Sequence, residues 1–598
     1  MTRIALSLVL IACSFFTAAQ SAGKIVILHT NDLHSRLEGF SPETEYTPLS
    51  VNDDKTLGGF ARIASLINRD KIIDGNTLFV VDAGDFLMGT LFHATEVKRG
   101  FQLPLMKKMG YDAVCLGNHE FDFGTEKLAE IINSSLAGGA VPQLLLGNAK
   151  LSNKDARDDK LENFYRNGVI KRTFTVNRNG VKAGFFSLLG VNAADVAPYA
   201  APVEFEKQAR FASRAVKELQ QEGCDIIICL SHSGISAGKD GNWSGEDVNL
   251  ALKVRGIDLI ISGHTHTTLD KPLIINGIPI VQTGEYGKNI GRVVFSRAEK
   301  GVQFESYELI PVDDRIAGDE ETERDIENQK KYISTNILEP FGLSYNRPVV
   351  QSGKLIGINN QGNLDESNLG PLIADAIHYY INNHTREGAD VAMVSAGVIR
   401  DQIVEGKQTP ADIFRIMPLG SGKDEVPGYP FSRLYVTGRE LKNILEILLV
   451  ARNSDPDYYC FFSGIRAEFN AEKGLLKKVR KIDIIKPDGN NINVDFSKGN
   501  KRLYSITANS YMLEFIGIIK KKSFGLINVV PKNSAGEKVT DMSTAIIDIN
   551  ETRQGLQEGK EWLALIEYLS RMADTDGNGI PDIEKKYYVP ILSLVPVK

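Results

Sequence analysis

Five polar clusters in the first half of the chain each stand directly behind a short apolar run, and this repeated pairing constrains the fold more than any other feature. The central cluster is Gly117-Asn118-His119-Glu120-Phe121-Asp122, behind Ala113 to Leu116. The others are Asp32-Leu33-His34 behind Ile25 to Leu28, Gly84-Asp85 behind Leu78 to Val81, Ser231-His232-Ser233 behind Ile226 to Leu230, and Gly263-His264-Thr265-His266 behind Ile257 to Ile261. Such runs read as strands, and strands of a layered sheet bring the loops behind them to one rim.

The residue types at that rim suit metal chemistry. A site for two divalent ions needs neutral imidazoles, carboxylates and one group able to touch both ions, a task for which a carboxylate has two oxygens. On this reading Asp32, His34, Asp85 and His266 hold one ion, and Asp85, Asn118, His232 and His264 hold the second. His119 and Asp122 are left without a metal and form the expected catalytic pair. Mixed His, Asp and Asn ligation is compatible with Zn, Mn, Fe or Co.

These residues resemble the calcineurin-like metallophosphoesterases and, within them, the 5'-nucleotidase family, which includes the bacterial UDP-sugar hydrolases. Leu28 to His34, Asp82-Ala83-Gly84-Asp85, Gly117 to Asp122, His232 and Gly263 to His266 carry the resemblance, in the family's order. It implies an α/β architecture: an N-terminal four-layer β-sandwich flanked by helices, then a smaller α/β C-terminal substrate domain. It also implies an exported phosphoesterase that hydrolyses nucleoside 5'-monophosphates or related nucleotides through attack by a metal-bridging hydroxide. Nucleotide-sugar pyrophosphatase, 2',3'-cyclic phosphodiesterase and protein-bound thiosulfate hydrolysis stay open as alternatives, as does a ligand-binding protein that has lost catalysis. Neither His119, Asp122 nor any expected ligand is missing, which favours an enzyme.

At 598 residues the chain exceeds a single core, since domains run to roughly 150 residues. Hydrophobic residues make up 42%, charged residues 24%, and the net charge is -6, an ordinary composition that gives no reason to expect a nucleic-acid partner. Residues 1–22 read as a signal peptide: Arg3, then an apolar run from Ile4 to Phe16, too short to span a bilayer, then Ala19-Gln20-Ser21-Ala22 as a cleavage site. The expected location is periplasmic or secreted. Leu10-Ile11-Ala12-Cys13 also resembles a lipobox, and lipidation at Cys13 would add a membrane anchor; the segment before Cys13 is short for that. Cys115, Cys224, Cys229 and Cys460 lack metal-ligand spacing. Cys224 and Cys229, placed along one expected strand, are too far apart for a disulfide.

The expected domains are residues 23–318, a linker helix over 319–345, a substrate domain over 346–565, and a tail over 566–598. Residues 151–165 are charge-rich and expected as an exposed loop. In the second half, Leu369 to Ala376, Gly397-Val398-Ile399-Arg400, Val436 to Leu441 and Ser463 to Arg466 match landmarks of the family's C-terminal domain. The resemblance makes Arg400 a phosphate contact and Tyr511 one face of a base clamp for a small nucleotide. Departures gather nearby. Ser395 stands where asparagine is usual, Asp365 lies near an expected arginine, Leu419 replaces an aromatic, and Leu513 to Gly517 replaces a glycine-glycine-aspartate run. His29, His93, His378 and His384 read as packed, hydrogen-bonded or solvated residues.

In the tail, Asp574, Asp576, Asn578 and Asp582 place oxygen donors around Gly577 and Gly579. The spacing resembles an EF-hand-like or thrombospondin-type loop and implies a structural calcium ion, with Lys585 where a bidentate glutamate usually sits. A polar turn without an ion is the alternative.

Overall fold

The computed structural model describes residues 24–40, 45–73, 76–238, 241–299, 301–359, 363–451, 456–474, 476–486, 489–512 and 529–598. The expected signal segment with Cys13 and the run Leu513 to Gly517 lie outside the described residues. No described helix is long and apolar enough to cross a membrane.

Two sheets stack face to face in the first half. The seven-stranded sheet runs Val302–Pro311, Asn289–Arg297, Ile25–Thr30, Thr77–Asp82, Ala113–Cys115, Gln143–Leu145 and Ile170–Lys171. The six-stranded sheet runs Leu273–Ile275, Ile278–Val281, Leu259–Ser262, Ile226–His232, Val181–Leu189 and Thr173–Arg178. Their central strands pair in parallel; antiparallel pairs finish both edges of the six-stranded sheet and one edge of the seven-stranded sheet, whose other edge, Ile170–Lys171, pairs in parallel.

Alternation along each strand sends side chains to opposite faces. Ile25, Ile27, Phe79 and Val81 meet Phe185, Ile228, Leu230 and Ile261 between the sheets. Val26, Leu28 and Val80 turn outward to Ile63 and Ile67 of the helix Phe60–Lys71. On the far side Phe186, Ile227 and Cys229 pack on Phe211, Ala215 and Leu219 of the helix Gln208–Gln221. Both faces of both sheets are covered, which gives four layers and explains why the strands read as continuous apolar runs. Because Ile25–Thr30, Thr77–Asp82 and Ala113–Cys115 are mutually parallel, the loops behind them emerge on one edge; Ile226–His232 and Leu259–Ser262 share a direction in the same way.

The helix Glu320–Ile333 follows, capped by Asp319, whose side chain accepts from Thr322 N–H, and extended by a wider turn over Ser334–Leu338. The second half holds two four-stranded sheets. One is Phe431–Thr437, Leu503–Asn509, Val391–Ser395 and Cys460–Ser463; the other is Asn491–Asn493, Val479–Ile485, Ile465–Phe469 and Leu594–Pro596. The helices Leu369–His384 and Glu561–Ser570 pack together, with Tyr379 against Tyr568 at 5.4 Å between ring centroids.

Two local expectations need correction. Residues 151–165 are not simply a loop: Asp159–Arg166 is helical, with Leu161 and Phe164 buried and the charges turned outward. Cys224 precedes its strand, which begins at Ile226. The four cysteines of the described residues are free. The buried His29 ring makes no hydrogen bond at either nitrogen and stacks on Tyr307.

Candidate metal centre and substrate face

The polar clusters converge at the shared edge. Asp32, His34 and His266 place ligand atoms within 4.8 Å of one another, and so do Asp85, His232 and His264. His34 Nε2 and His266 Nε2 are 3.0 Å apart, with Asp32 Oδ1 4.0 and 3.6 Å from them. His232 Nε2 is 2.9 Å from Asp85 Oδ2 and 3.1 Å from Asn118 Oδ1. The structure thus brings together all seven residues expected as ligands.

Outer hydrogen bonds decide which ring nitrogens carry protons. His266 Nδ1 faces Glu285 Oε2 at 3.2 Å, His34 Nδ1 faces the Leu87 carbonyl at 3.3 Å, and His232 Nδ1 faces the Ala83 carbonyl at 3.0 Å. Each of those partners accepts, so each Nδ1 is the N–H and each Nε2 is the atom turned into the site. With both Nδ1 atoms facing acceptors, the two Nε2 atoms, 3.0 Å apart beside a carboxylate, call for a proton or a metal cation between them. The second cluster shows the same demand. Burial disfavours a charged His232, yet Asp85 overcomes this and holds the ring up at about 10. A divalent ion satisfies that need for positive charge as a second ring proton does. Burial and neighbouring imidazoles push His34 and His264 down, the latter to about 3, leaving both neutral and able to ligate.

The backbone around these groups is strained. Asp32, His34, Asp85, His264 and His266 have φ of 51°, 49°, 57°, 73° and 53°, a left-handed conformation that costs non-glycine residues on the order of 1–3 kcal/mol each. Loop-to-loop hydrogen bonds maintain it: Asp32 N–H to Gly84 O, His34 N–H to Asp85 O and Ser35 N–H to Phe86 O, at 2.8–2.9 Å. Glycine is required where the loops cross, since a Cβ on Gly117 would lie 2.3 Å from Asp85 Oδ1.

His119 follows Asn118 on a short turn, His119–Phe121. Its Nδ1 lies 2.8 Å from Asp122 Oδ2, and its N–H donates to Asp85 Oδ1 at 2.9 Å. Burial works against charge on this ring, but Asp122 and Asp85 raise its pKa above the usual histidine value. With Nδ1 committed to Asp122, Nε2 is the atom that can serve a substrate oxygen.

Several supporting residues were not foreseen. Buried Glu120 accepts from Asp85 N–H, Leu87 N–H and Gly117 N–H, tying two ligand loops together. Glu285 orients His266, and Asn192 Oδ1 lies 2.8 Å from His264 Nε2. Asp247 accepts from Ser231 and Ser262 hydroxyls at 2.5 and 2.6 Å, fixing the strand ends before His232 and His264. Glu120 stands inside a motif and was findable there; the others give no local signal.

From the second half, Arg400 reaches the same edge, and its charge acts on His34, His119 and Tyr286. Its Nε is buried without a hydrogen-bond partner. Tyr511 stacks on Tyr429, with centroids 5.3 Å apart and planes inclined by 10°. Leu419 packs into the apolar core while its carbonyl accepts from Tyr429 N–H at 3.0 Å. Tyr429 and Tyr511 lie two residues beyond Phe431 and Asn509, which pair antiparallel, and Ser510 N–H donates to Pro430 O at 2.8 Å, so the strand register sets the two rings opposite each other. Tyr429 also meets Tyr199 of the first half at 6.5 Å.

In the tail, Asp574, Asp576 and Asp582 place oxygens within 4.8 Å of one another. Asp574 accepts from Gly577 and Gly579 N–H, and Asn578 Nδ2 donates to Asp576. Gln351 ties the loop to the strand Val350–Ser352 by donating to Asp576 and Asp582 at 2.9 and 2.7 Å.

Residues 25–268 match the model for the calcineurin-like phosphoesterases, and residues 350–516 match that for the 5'-nucleotidase C-terminal domain. The chain is 27% identical over 505 residues to the trifunctional nucleotide phosphoesterase protein YfkN of Bacillus subtilis (strain 168), covering 79% of this chain and 31% of that protein. It therefore spans about a third of that relative's length. It is 26% identical to a 5'-nucleotidase of Diplobatis ommata, covering 85% of each chain. Among solved structures, a 5'-nucleotidase precursor from Thermus thermophilus shares the fold, with a TM-score of 0.66, 20% identity, and coverage of 96% of this chain and 99% of that one. With a calcineurin-like phosphoesterase domain followed by a 5'-nucleotidase C-terminal domain, the chain belongs to the 5'-nucleotidase family of calcineurin-like metallophosphoesterases.

Proposed function

We propose that the protein hydrolyses phosphate esters of small nucleotides, nucleoside 5'-monophosphates first among them, at a centre for two divalent ions. The observation that carries this is the arrangement of His34, His266 and His232, each with an acceptor facing Nδ1 and with Nε2 turned toward a carboxylate. Asp32, His34, Asp85 and His266 would hold one ion; Asp85, Asn118, His232 and His264 would hold the other, with Asp85 shared. When bound, such ions polarise a phosphoryl oxygen and acidify water.

The chain's own groups supply the rest. His119, oriented by Asp122, donates from Nε2 to the phosphoryl or leaving oxygen, where negative charge grows in the transition state. Arg400 offers phosphate oxygens a planar donor fork. The stacked pair Tyr511 and Tyr429 gives a base an aromatic surface, a type of contact worth about 1–3 kcal/mol per base. Residues 23–318 would form the metal-binding domain and 346–565 the substrate domain, joined by the helix within 319–345. The basic-then-apolar segment over residues 3–16 supports export to the periplasm or medium. In the tail, Asp574, Asp576, Asn578 and Asp582 would hold a structural calcium ion against Gln351.

A substrate panel assayed with Mn, Zn and Co tests the reading: nucleoside 5'-monophosphates, nucleotide sugars, 2',3'-cyclic nucleotides, sugar phosphates, an aryl phosphate and a thiosulfonate. A nucleotide should be turned over faster than the aryl phosphate. If none is, the nucleotide assignment fails and only phosphoester chemistry stands.

A further inference from the structure

Arg36 is an unusual residue to find where it lies. Two positions after His34, it is only 2% exposed, and a guanidinium cannot shed its proton at physiological pH. Burying that charge is costly unless it is paired and its donors are used. Its guanidinium rests against the rings of Phe40 and Tyr286, at 4.3 and 4.5 Å from their centroids. Its carboxylate partner comes from 365 residues further along the chain: Nη1 donates to Asp401 Oδ2 at 2.8 Å.

Asp401 is held from every side. The same Oδ2 accepts from Arg415 Nε at 3.0 Å, and Oδ1 accepts from Gln402 N–H at 2.9 Å. Arg415 is itself fixed by Asp412 at 2.8 Å. Burial would raise the Asp401 pKa, but Arg36 and Arg415 hold it below the ordinary carboxylate range, so the group stays ionised.

The chain neighbour of Asp401 is Arg400. Arg400 N–H donates to Ile416 O at 2.9 Å, next to Arg415, so the Arg36 pair and this backbone bond fix the Arg400 backbone together. On the other side, the Tyr286 ring that covers Arg36 stands 5.5 Å from the His34 ring and 5.8 Å from the His266 ring. A continuous line of contacts therefore runs from the metal-ligating histidines through Tyr286 and Arg36 to Asp401 and Arg400. Simple stabilisation does not require this arrangement, since a well-packed apolar pair serves stability as well as a buried ion pair. What the ion pair adds is registry between two parts of the chain distant in sequence.

We propose that Arg36 and Asp401 are positioning residues that set the Arg400 guanidinium over the metal centre, so that phosphate is engaged by both halves of the chain at once. This rests on the reading of Arg400 as the phosphate contact, and neither Arg36 nor Asp401 touches substrate. Arg415 anchors the same carboxylate from the second half.

A double-mutant cycle on the metal-loaded full chain tests the inference, with a nucleoside 5'-monophosphate as substrate and with metal content and melting temperature measured for every variant. Asp401→Asn should lower kcat/KM by about tenfold or more, chiefly through KM, with metal content unchanged. In the Arg400→Ala background, adding Asp401→Asn should cost no more than about a further twofold, because the group it positions is gone. A merely structural role predicts instead that the two losses multiply; that result, or a wild-type kcat/KM for Asp401→Asn, overturns the inference. If Asp401→Asn does not fold, Arg36→Gln completes the same cycle from the other end of the pair. Unchanged turnover in Arg400→Ala contradicts the phosphate role of Arg400 and removes the inference with it. An impaired Arg400→Ala with multiplying losses contradicts the inference alone.

Discussion

Each candidate ligand in the first half of the chain sits within a few residues of a strand end, and its position follows from the strand that carries it. In the second half, Tyr429 and Tyr511 flank the paired strand ends Phe431 and Asn509, but Arg400 owes its place to contacts with residues far away in sequence. Asp32 and His34 follow Ile25–Thr30 directly, whereas Arg400 depends on Ile416 and, through Asp401, on Arg36. Chemistry set by local geometry is robust to change elsewhere. Specificity set by distant contacts is open to it, and this chain keeps every expected metal and catalytic residue while its substrate face departs from the family pattern.

The contrast breaks most visibly at His119. Replacing it by Ala should lower turnover by something like 10²–10⁴ while metal content stays near two ions per chain, as expected if His119, whose Nδ1 faces Asp122, is not a ligand. Loss of metal in that variant, with turnover preserved, would place His119 among the ligands instead.

A smaller effect is expected on the substrate face. Tyr511→Ala and Tyr429→Ala should each raise KM for nucleotides by about tenfold, in line with stacking of about 1–3 kcal/mol, and leave the aryl phosphate nearly unchanged. Equal responses from both substrates would mean that the aromatic pair only packs.

Acid should act on the junction between the halves. Asp401 has a lowered pKa in the folded chain, so its contribution to stability is present above its unfolded pKa of about 3.9 and is lost as pH falls through the lower folded value. Removing one partner of a buried pair costs about 3–5 kcal/mol. The melting temperature of Asp401→Asn should therefore lie below wild type at neutral pH, and the gap should close in strongly acidic buffer. A gap independent of pH would show that the charge of Asp401 is not what is lost.

The smallest effect belongs to the tail. Chelation restricted to calcium should lower the melting temperature without abolishing activity in protein reloaded with the catalytic metal. If Asp576→Ala binds calcium as wild type does, the loop is only a turn.

Legibility in the sequence divides along the same line. The strand expected before Asp85 over Leu78 to Val81 is found as Thr77–Asp82, because continuous apolar runs report strands covered on both faces. The seven expected ligands could be named because each stands in a short motif. Glu285 could not be paired with His266, since the turn that joins them depends on how Ile278–Val281 docks beside its neighbours. The helix Asp159–Arg166 was hidden because only Leu161 and Phe164 mark its buried side. The pairing of Tyr429 with Tyr511 was not legible because it rests on the antiparallel pairing of Phe431–Thr437 with Leu503–Asn509, two strands far apart in sequence.

The central claim is that Asp85 joins two ions at this rim. Crystals of the metal-loaded protein, with anomalous scattering recorded at the absorption edge of the added metal, test it most directly. Two peaks about 3.5–4 Å apart, one beside Asp32, His34 and His266, the other beside Asn118, His232 and His264, with an Asp85 oxygen touching each, are the predicted result. A single peak, or two of which Asp85 touches only one, would contradict it.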